Sequence, residues 1–239
     1  MPTVMDLALM AKAVYRASPD VPNWTRLNFR AASGILDGFQ AAAFSGQGGI
    51  VIAFRGSAQG EDWLVNAAYG AGMNTVRFSQ AENFAVKEAK NFTAMFGNAP
   101  VYITGHSLGG AIAQIVANRR GYKFVTFNAP GVAVLASRNI DQMAASVVTG
   151  MFGVRVAGAI ASTFVHPQQA YRDIKAAFKK AHGLNVCLKT DGVSQIGVHY
   201  GKVKRISSDT NNPLTAHKMD TVLAALQNDP VARIDVNTL

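Results

Sequence analysis

A chain of 239 residues, of which 49% are hydrophobic and 15% charged, is too apolar for an intrinsically disordered protein. Its single cysteine excludes an intramolecular disulfide framework. The formal net charge of +9 favours contact with polyanions, yet the basic residues are scattered, with short clusters only at Arg119-Arg120, Lys179-Lys180 and Lys202-Lys204-Arg205. No interleaved basic and aromatic motif occurs, so no nucleic-acid partner is expected, and an anionic membrane surface accounts for the charge at least as well.

Residues 1–20 carry Asp6 where a secretory signal would be positive, and no apolar core of sufficient length follows. The expected location is cytoplasmic, unless export uses a secretion route that needs no cleaved signal. Val4, Leu7, Ala8, Ala11 and Val14 recur at helical spacing and predict an amphipathic helix ending near Ser18-Pro19. Gly34 to Phe44 and Gly49 to Phe54 read as two strands that pair across the turn Ser45-Gly-Gln-Gly-Gly49. Ser79 to Phe96 reads as a helix. Ser79 and Glu82 are its expected capping box, Ala81, Phe84, Ala85, Phe92 and Met95 its apolar face, and Gly97 its stop. Then follow a buried strand at Val101 to Thr104, a helix at Gly109 to Arg120 and a buried strand at Phe124 to Phe127. This alternation predicts an α/β protein with a mostly parallel central sheet and helices on both faces.

From Val132 to Gly183 the pattern changes. Met143 to Val165 is almost continuously apolar, and its length would suit a membrane span. Arg155 stands near its middle, where a charge costs roughly 2.5–3.5 kcal/mol on insertion scales, and Gly150, Gly153 and Gly158 interrupt it. A helical apolar cap over about 132–183, inserted into one domain spanning 1–239, is therefore expected in preference to a membrane helix. Strands are predicted at Gly183 to Lys189 and Val198 to Ile206, and a closing helix at His217 to Leu226.

The sequence Gly105-His106-Ser107-Leu108-Gly109 lies between an apolar strand and an amphipathic helix, the setting of a nucleophile elbow. A serine there stands above the sheet edge on a tight, crowded turn from which the two glycines keep side chains away. The amide of Leu108 opens the following helix and can face a developing oxyanion. A serine needs a base, and the chain order of this arrangement is serine, acid, histidine. His106 adjoins the serine and should point away from its hydroxyl. His166 and His182 lie in or beside the insertion, and His199 in a predicted strand. His217, on a late loop, is the candidate base. Asp191, just past a strand, is the candidate acid, with Asp209 as its rival. Ser57, after the strand Ile50 to Phe54, can supply a second oxyanion donor. Arg55 is expected to fix that loop, and Cys187 to fill a buried strand position.

Taken in order, Phe54-Arg55-Gly56-Ser57, Asp62-Trp63, Gly105-His106-Ser107-Leu108-Gly109-Gly110, Phe127-Asn128-Ala129-Pro130, Asp191-Gly192-Val193, Gly197-Val198-His199-Tyr200-Gly201 and His217 resemble the class 3 lipase family, the fungal-type lipases and their bacterial relatives. The resemblance implies an α/β-hydrolase fold and ester hydrolysis through an acyl-enzyme, with Ser107, Asp191 and His217 as triad and Ser57 and Leu108 as oxyanion hole. It implies a lid near Trp63 and no metal or organic cofactor. His199 matches a family position that is not catalytic. The chain lacks the disulfides of the fungal members and the prolines that commonly follow the family's aspartate. The family includes neutral lipases, phospholipases A and feruloyl esterases, and some bacterial effectors delivered into rival cells share its pattern. A lipid ester at an anionic surface is the expected partner, with room for a protein partner. The alternatives are an esterase for small soluble esters and a non-catalytic membrane-binding toxin that uses the apolar stretch.

Overall fold

The computed structural model describes residues 1–16, 21–31, 39–46, 48–56, 75–132 and 181–239. Among them, seven strands form one sheet in the order of the chain: β1 (Thr25–Arg30), β2 (Ala41–Gly46), β3 (Gly49–Phe54), β4 (Val101–His106), β5 (Lys123–Phe127), β6 (Gly183–Leu188) and β7 (Lys202–Ile206). The first three pair antiparallel and β3 to β7 pair parallel. The expected mixed but mostly parallel sheet is thus present.

Side-chain alternation along the strands builds two cores. Phe44, Val51, Ala53, Tyr102, Val125, Phe127 and Val186 face one side, where α1 (Val4–Ala13) and, near the C-terminus, a helix at Met219–Gln227 cover them. Ala43, Ile50, Ile52, Phe54, Ile103 and Phe124 face the other, under α2 (Thr75–Phe96) and α3 (Leu108–Arg120). Burial on both faces is why β3 and β6 are apolar almost without interruption, as parallel strands between helical layers must be.

Several elements differ from the sequence reading. The helix α1 ends at Ala13, short of Ser18-Pro19, and Asp6 is the N3 partner of a capping box with Thr3. The backbone of Val4 then donates to Ile234 O (3.1 Å) and that of Val236 to Pro2 O (3.0 Å), which ties the two ends of the chain together. β1 has no counterpart in the prediction. It is an edge strand, mostly exposed or half-buried, with a bulge between Arg26 and Asn28, so no apolar alternation marks it. Its arginines stack instead, Arg26 over Phe29 at 5.0 Å and Arg30 over Phe39 at 4.9 Å.

The strand predicted from Gly34 begins at Ala41; residues 32–38 lie outside the described residues. The helix α2 starts at Thr75, so Ser79 is not its cap. Glu82 pairs with Arg119 (3.1 Å) and Arg120 (2.8 Å) and pins α2 to α3. Ala81, Phe84, Ala85 and Phe92 are buried, but Met95 is 63% exposed, and the whole last turn from Thr93 to Phe96 is exposed with it. Gly97, at φ 75°, ends this helix as expected. The strand predicted from Val198 begins at Lys202. His217 does not open the closing helix but ends a separate five-residue one, α4 (Pro213–His217). After Lys218 the chain enters α5 (Met219–Gln227). Most of the predicted 132–183 insertion, including the apolar stretch, lies outside the described residues. No helix among the described residues is long and apolar enough to cross a membrane.

Candidate active site

Parallel strands deliver their C-terminal ends to one edge of the sheet, and three of those ends build the site. At the end of β4 the chain turns directly into α3 through Ser107, which has φ 58° and ψ −130°. A side-chain-bearing residue in that region is strained by about 1–3 kcal/mol, which surrounding structure must hold. Here the Ser107 amide donates to Phe127 O (3.1 Å), and Ser107 O accepts from Gly110 (2.9 Å) and Ala111 (3.1 Å). The turn is crowded as the sequence implied. A Cβ on Gly105 would lie 2.4 Å from Gly109, and one on Gly109 would lie 2.1 Å from Phe54 O. Leu108 is the first residue of α3, so its amide is among the four that find no carbonyl within the helix.

Three residues past β6, Asp191 is completely buried. Its carboxylate accepts from the amides of Val193 (3.2 Å) and Ser194 (2.9 Å), the start of a 3-10 turn, and from His217 Nδ1 (2.9 Å). Burial would push its pKa up, but the hydrogen bond and charge of His217 and the bonds from Ser194 outweigh it and hold the carboxyl below its usual value. His217 Nε2 lies 2.9 Å from Ser107 Oγ. A carboxylate can only accept, so Nδ1 donates to Asp191, and Nε2 accepts from the serine hydroxyl. The imidazole retains 18% exposure, a path to solvent or substrate. Chemically, such a chain can draw a proton from a hydroxyl and return it to a leaving group.

The structure thus brings Ser107, Asp191 and His217 together in one hydrogen-bonded line, with Leu108 at its edge. Ser57 and Trp63 lie outside the described residues, as does His166. Gly56, immediately before Ser57, approaches the elbow: a Cβ there would stand 3.2 Å from Ser107 Cβ. Asp209 is exposed on the loop after β7. His199 lies on a loop, not a strand, and its Nε2 donates to Ala129 O (2.8 Å). His182 precedes β6 at the opposite edge. Arg55 bonds Gln40, which donates to Val14 O (2.6 Å), so the arginine anchors the end of β3 as expected. Cys187 is fully buried, and burial pushes its thiol up to about 12. Among the described residues no cluster of three His, Cys, Asp or Glu could hold a metal. Sequence reasoning passed over Ser194 and Asn128. The one signal for Asn128 was its place in Phe127-Asn128-Ala129-Pro130, directly after a buried strand.

His106 is buried, and burial, aided by the neighbouring His217, lowers its pKa to about 3. An unfolded histidine titrates near 6.5, so below that pH the unfolded chain binds the extra proton and folding weakens; above it the contribution is complete. His199, also lowered by burial, acts in the same direction. The melting temperature should therefore fall by about 5 °C or more between pH 6.5 and pH 4.5, and His106→Gln should flatten that dependence. Calorimetry at a series of pH values checks this, and an equal slope in the variant would contradict it.

Comparison with known proteins gives a consistent picture. The Tle-like phospholipase domain, a phospholipase-like family, matches residues 6–192. An extracellular phospholipase A1 from Serratia liquefaciens is 33% identical over 233 residues, covering 92% of this chain and 69% of that protein. Among solved structures, the Lip2 lipase of Yarrowia lipolytica superposes with a TM-score of 0.51 at 14% identity, over 86% of this chain and 77% of that one. The Rhizomucor miehei lipase in its propeptide complex gives 0.51 at 18%, over 92% and 77%. These structural likenesses establish the α/β-hydrolase fold of the lipases.

Proposed function

This chain belongs to the Tle-like phospholipase domain family, and we propose that it cleaves a carboxylic ester of glycerophospholipids through a serine acyl-enzyme. The observation that carries this reading is the imidazole of His217, bonded at 2.9 Å to Ser107 Oγ on one side and at 2.9 Å to Asp191 on the other.

In this mechanism Ser107 Oγ attacks the ester carbonyl as His217 Nε2 takes its proton. The carbonyl electrons move onto oxygen, and the resulting oxyanion faces the Leu108 amide at the positive end of α3, with Ser57 as the second donor. Asp191 stabilises the imidazolium and keeps its tautomer. The tetrahedral intermediate expels the glycerol oxygen, which takes the proton from His217. Water, deprotonated by the same imidazole, then attacks the acyl-enzyme and releases the fatty acid. None of these steps calls on a metal or organic cofactor.

The preference for phospholipid is supported by the similarity to a phospholipase A1 and by the positive charge. Lys202, Val203, Lys204 and Arg205 are all exposed along the edge strand β7, which runs parallel to β6 toward the site. Anionic vesicles should therefore be hydrolysed faster than zwitterionic ones, with the advantage lost at high salt. Analysis of the products from vesicles with different acyl chains at the two glycerol positions tests the reading. Release of the sn-1 fatty acid is expected. Cleavage of short soluble esters with no hydrolysis of vesicles or of triglyceride emulsions would contradict it.

A further inference from the structure

His217 ends a helix of only five residues, too short to be stable by itself, and helix ends leave carbonyls without intrahelical partners. Two consecutive carbonyls at this end are taken up by buried side chains from the sheet. Ala216 O accepts from Asn128 Nδ2 at 2.8 Å, and His217 O lies 2.7 Å from His106 Nε2. We propose that His106 and Asn128 are positioning residues that hold the backbone of His217 so that its imidazole meets Ser107. This rests on the reading of His217 as the base for Ser107.

The hydrogen bonds at His106 run in one direction. A carbonyl only accepts, so Nε2 carries the proton and donates to His217 O, and Nδ1 is an acceptor. Tyr15 Oη, 3.1 Å from Nδ1, therefore donates to it, and the same oxygen accepts from the Gly56 amide at 3.1 Å. Because its burial keeps the ring neutral, one tautomer serves throughout the working pH range. The relay Gly56, Tyr15, His106, His217 thereby links the end of β3, the end of α1, the residue preceding the nucleophile and the backbone of the base.

Asn128 does the corresponding work on the acid. It is fully buried and adopts φ 44°, a conformation that a side-chain-bearing residue other than Asn or Asp seldom tolerates. Its amide donates to Val186 O (3.0 Å), and its Oδ1 accepts from the Leu188 amide (2.9 Å). Leu188 O in turn accepts from the Asp191 amide (3.1 Å). One asparagine thus fixes both the strand end that launches Asp191 and the helix that carries His217. Loss of either clamp lets the imidazole shift, and a displacement near 1 Å costs about 100-fold in rate without weakening substrate binding.

The test is steady-state kinetics on a soluble chromogenic ester, p-nitrophenyl butyrate, with far-UV circular dichroism to establish folding. His106→Phe and Asn128→Gly should lower kcat by about 30- to 100-fold with KM changed less than about threefold. His106→Gln, whose amide nitrogen can replace Nε2, should recover kcat to within about tenfold of the native enzyme. Should His106→Phe not fold, Tyr15→Phe, which removes one oxygen, decides the matter: a fall in kcat of about fivefold or more at unchanged KM is expected. The proposal is overturned if folded His106→Phe and Asn128→Gly keep kcat within threefold of native, if His106→Gln and His106→Phe lose activity equally, or, in the fallback case, if Tyr15→Phe keeps native kcat. Ser107→Ala, run alongside, separates the two levels. Residual native activity there would refute the serine mechanism itself, whereas a dead Ser107→Ala beside active clamp variants would refute only the positioning role.

Discussion

Ser107→Ala is expected to lower kcat/KM for phospholipid hydrolysis by at least about 10⁴-fold while the protein stays folded. The size of the effect follows from the geometry. On the proposed mechanism, His217 then has no hydroxyl to deprotonate, and no acyl-enzyme can form. What remains is binding of the ester beside the helix amide, and water attack aided by the imidazole. Stability should change little, because the alanine keeps the backbone bonds from Ser107 to Phe127, Gly110 and Ala111. A modest loss of melting temperature is compatible with alanine at φ 58°. The assay is fatty-acid release from vesicles, with thermal unfolding of the same preparation as the control.

Asp191→Asn should reduce kcat by about 10³- to 10⁴-fold and, in contrast, also weaken the fold. The carboxylate accepts on one oxygen from Val193 and His217 and on the other from Ser194. An amide must turn its NH₂ toward one of these donor sets. Facing Ser194, it sets two donors against each other and leaves them unpaired, at a cost of about 1–3 kcal/mol for a buried group. Facing His217, it imposes the wrong tautomer and places the proton on Nε2, where it blocks Ser107. In both orientations the negative charge that stabilises the imidazolium is gone. The pairing also has a pH signature. The carboxyl of Asp191 titrates below its ordinary value in the folded protein, so its contribution is complete above about pH 4 and disappears on further acidification. Denaturant titrations of native and variant chains at neutral and acid pH would show the native advantage shrinking toward the acid side. A variant with native kcat would contradict the role assigned to Asp191.

The parts of this site that could be read from the sequence are those with local signatures. Ser107 stands between an apolar strand and a helix with glycines on either side, because the crowded turn admits little else. β3 and β5 were recognisable because a strand buried on both faces is apolar along most of its length. Asp191 could be placed because it follows a predicted strand and precedes His217, which Asp209 also does, and because Asp191-Gly192-Val193 matches the family pattern. Less was legible where the determinants are distant in the chain. The edge strand β1 is held by stacked arginines and by Asn28 donating to Glu88 at 2.8 Å, which leave no alternation to find. The bonds from His106 and Asn128 to the end of α4, from Tyr15 to His106 and from Asn128 to Leu188 span 60 to 111 residues in sequence. These side chains carry no periodicity, and their roles emerge only once the strand ends meet.

Covalent trapping tests the central claim most directly. A fluorophosphonate that mimics the tetrahedral intermediate is incubated with the native enzyme, and the adduct is located by peptide mass spectrometry. The account predicts one modified peptide carrying the label on Ser107, with hydrolysis lost in proportion to labelling, and labelling slowed by orders of magnitude in His217→Ala. Full lipid hydrolysis by an enzyme labelled at Ser107, or equally fast labelling when His217 is replaced, would contradict it.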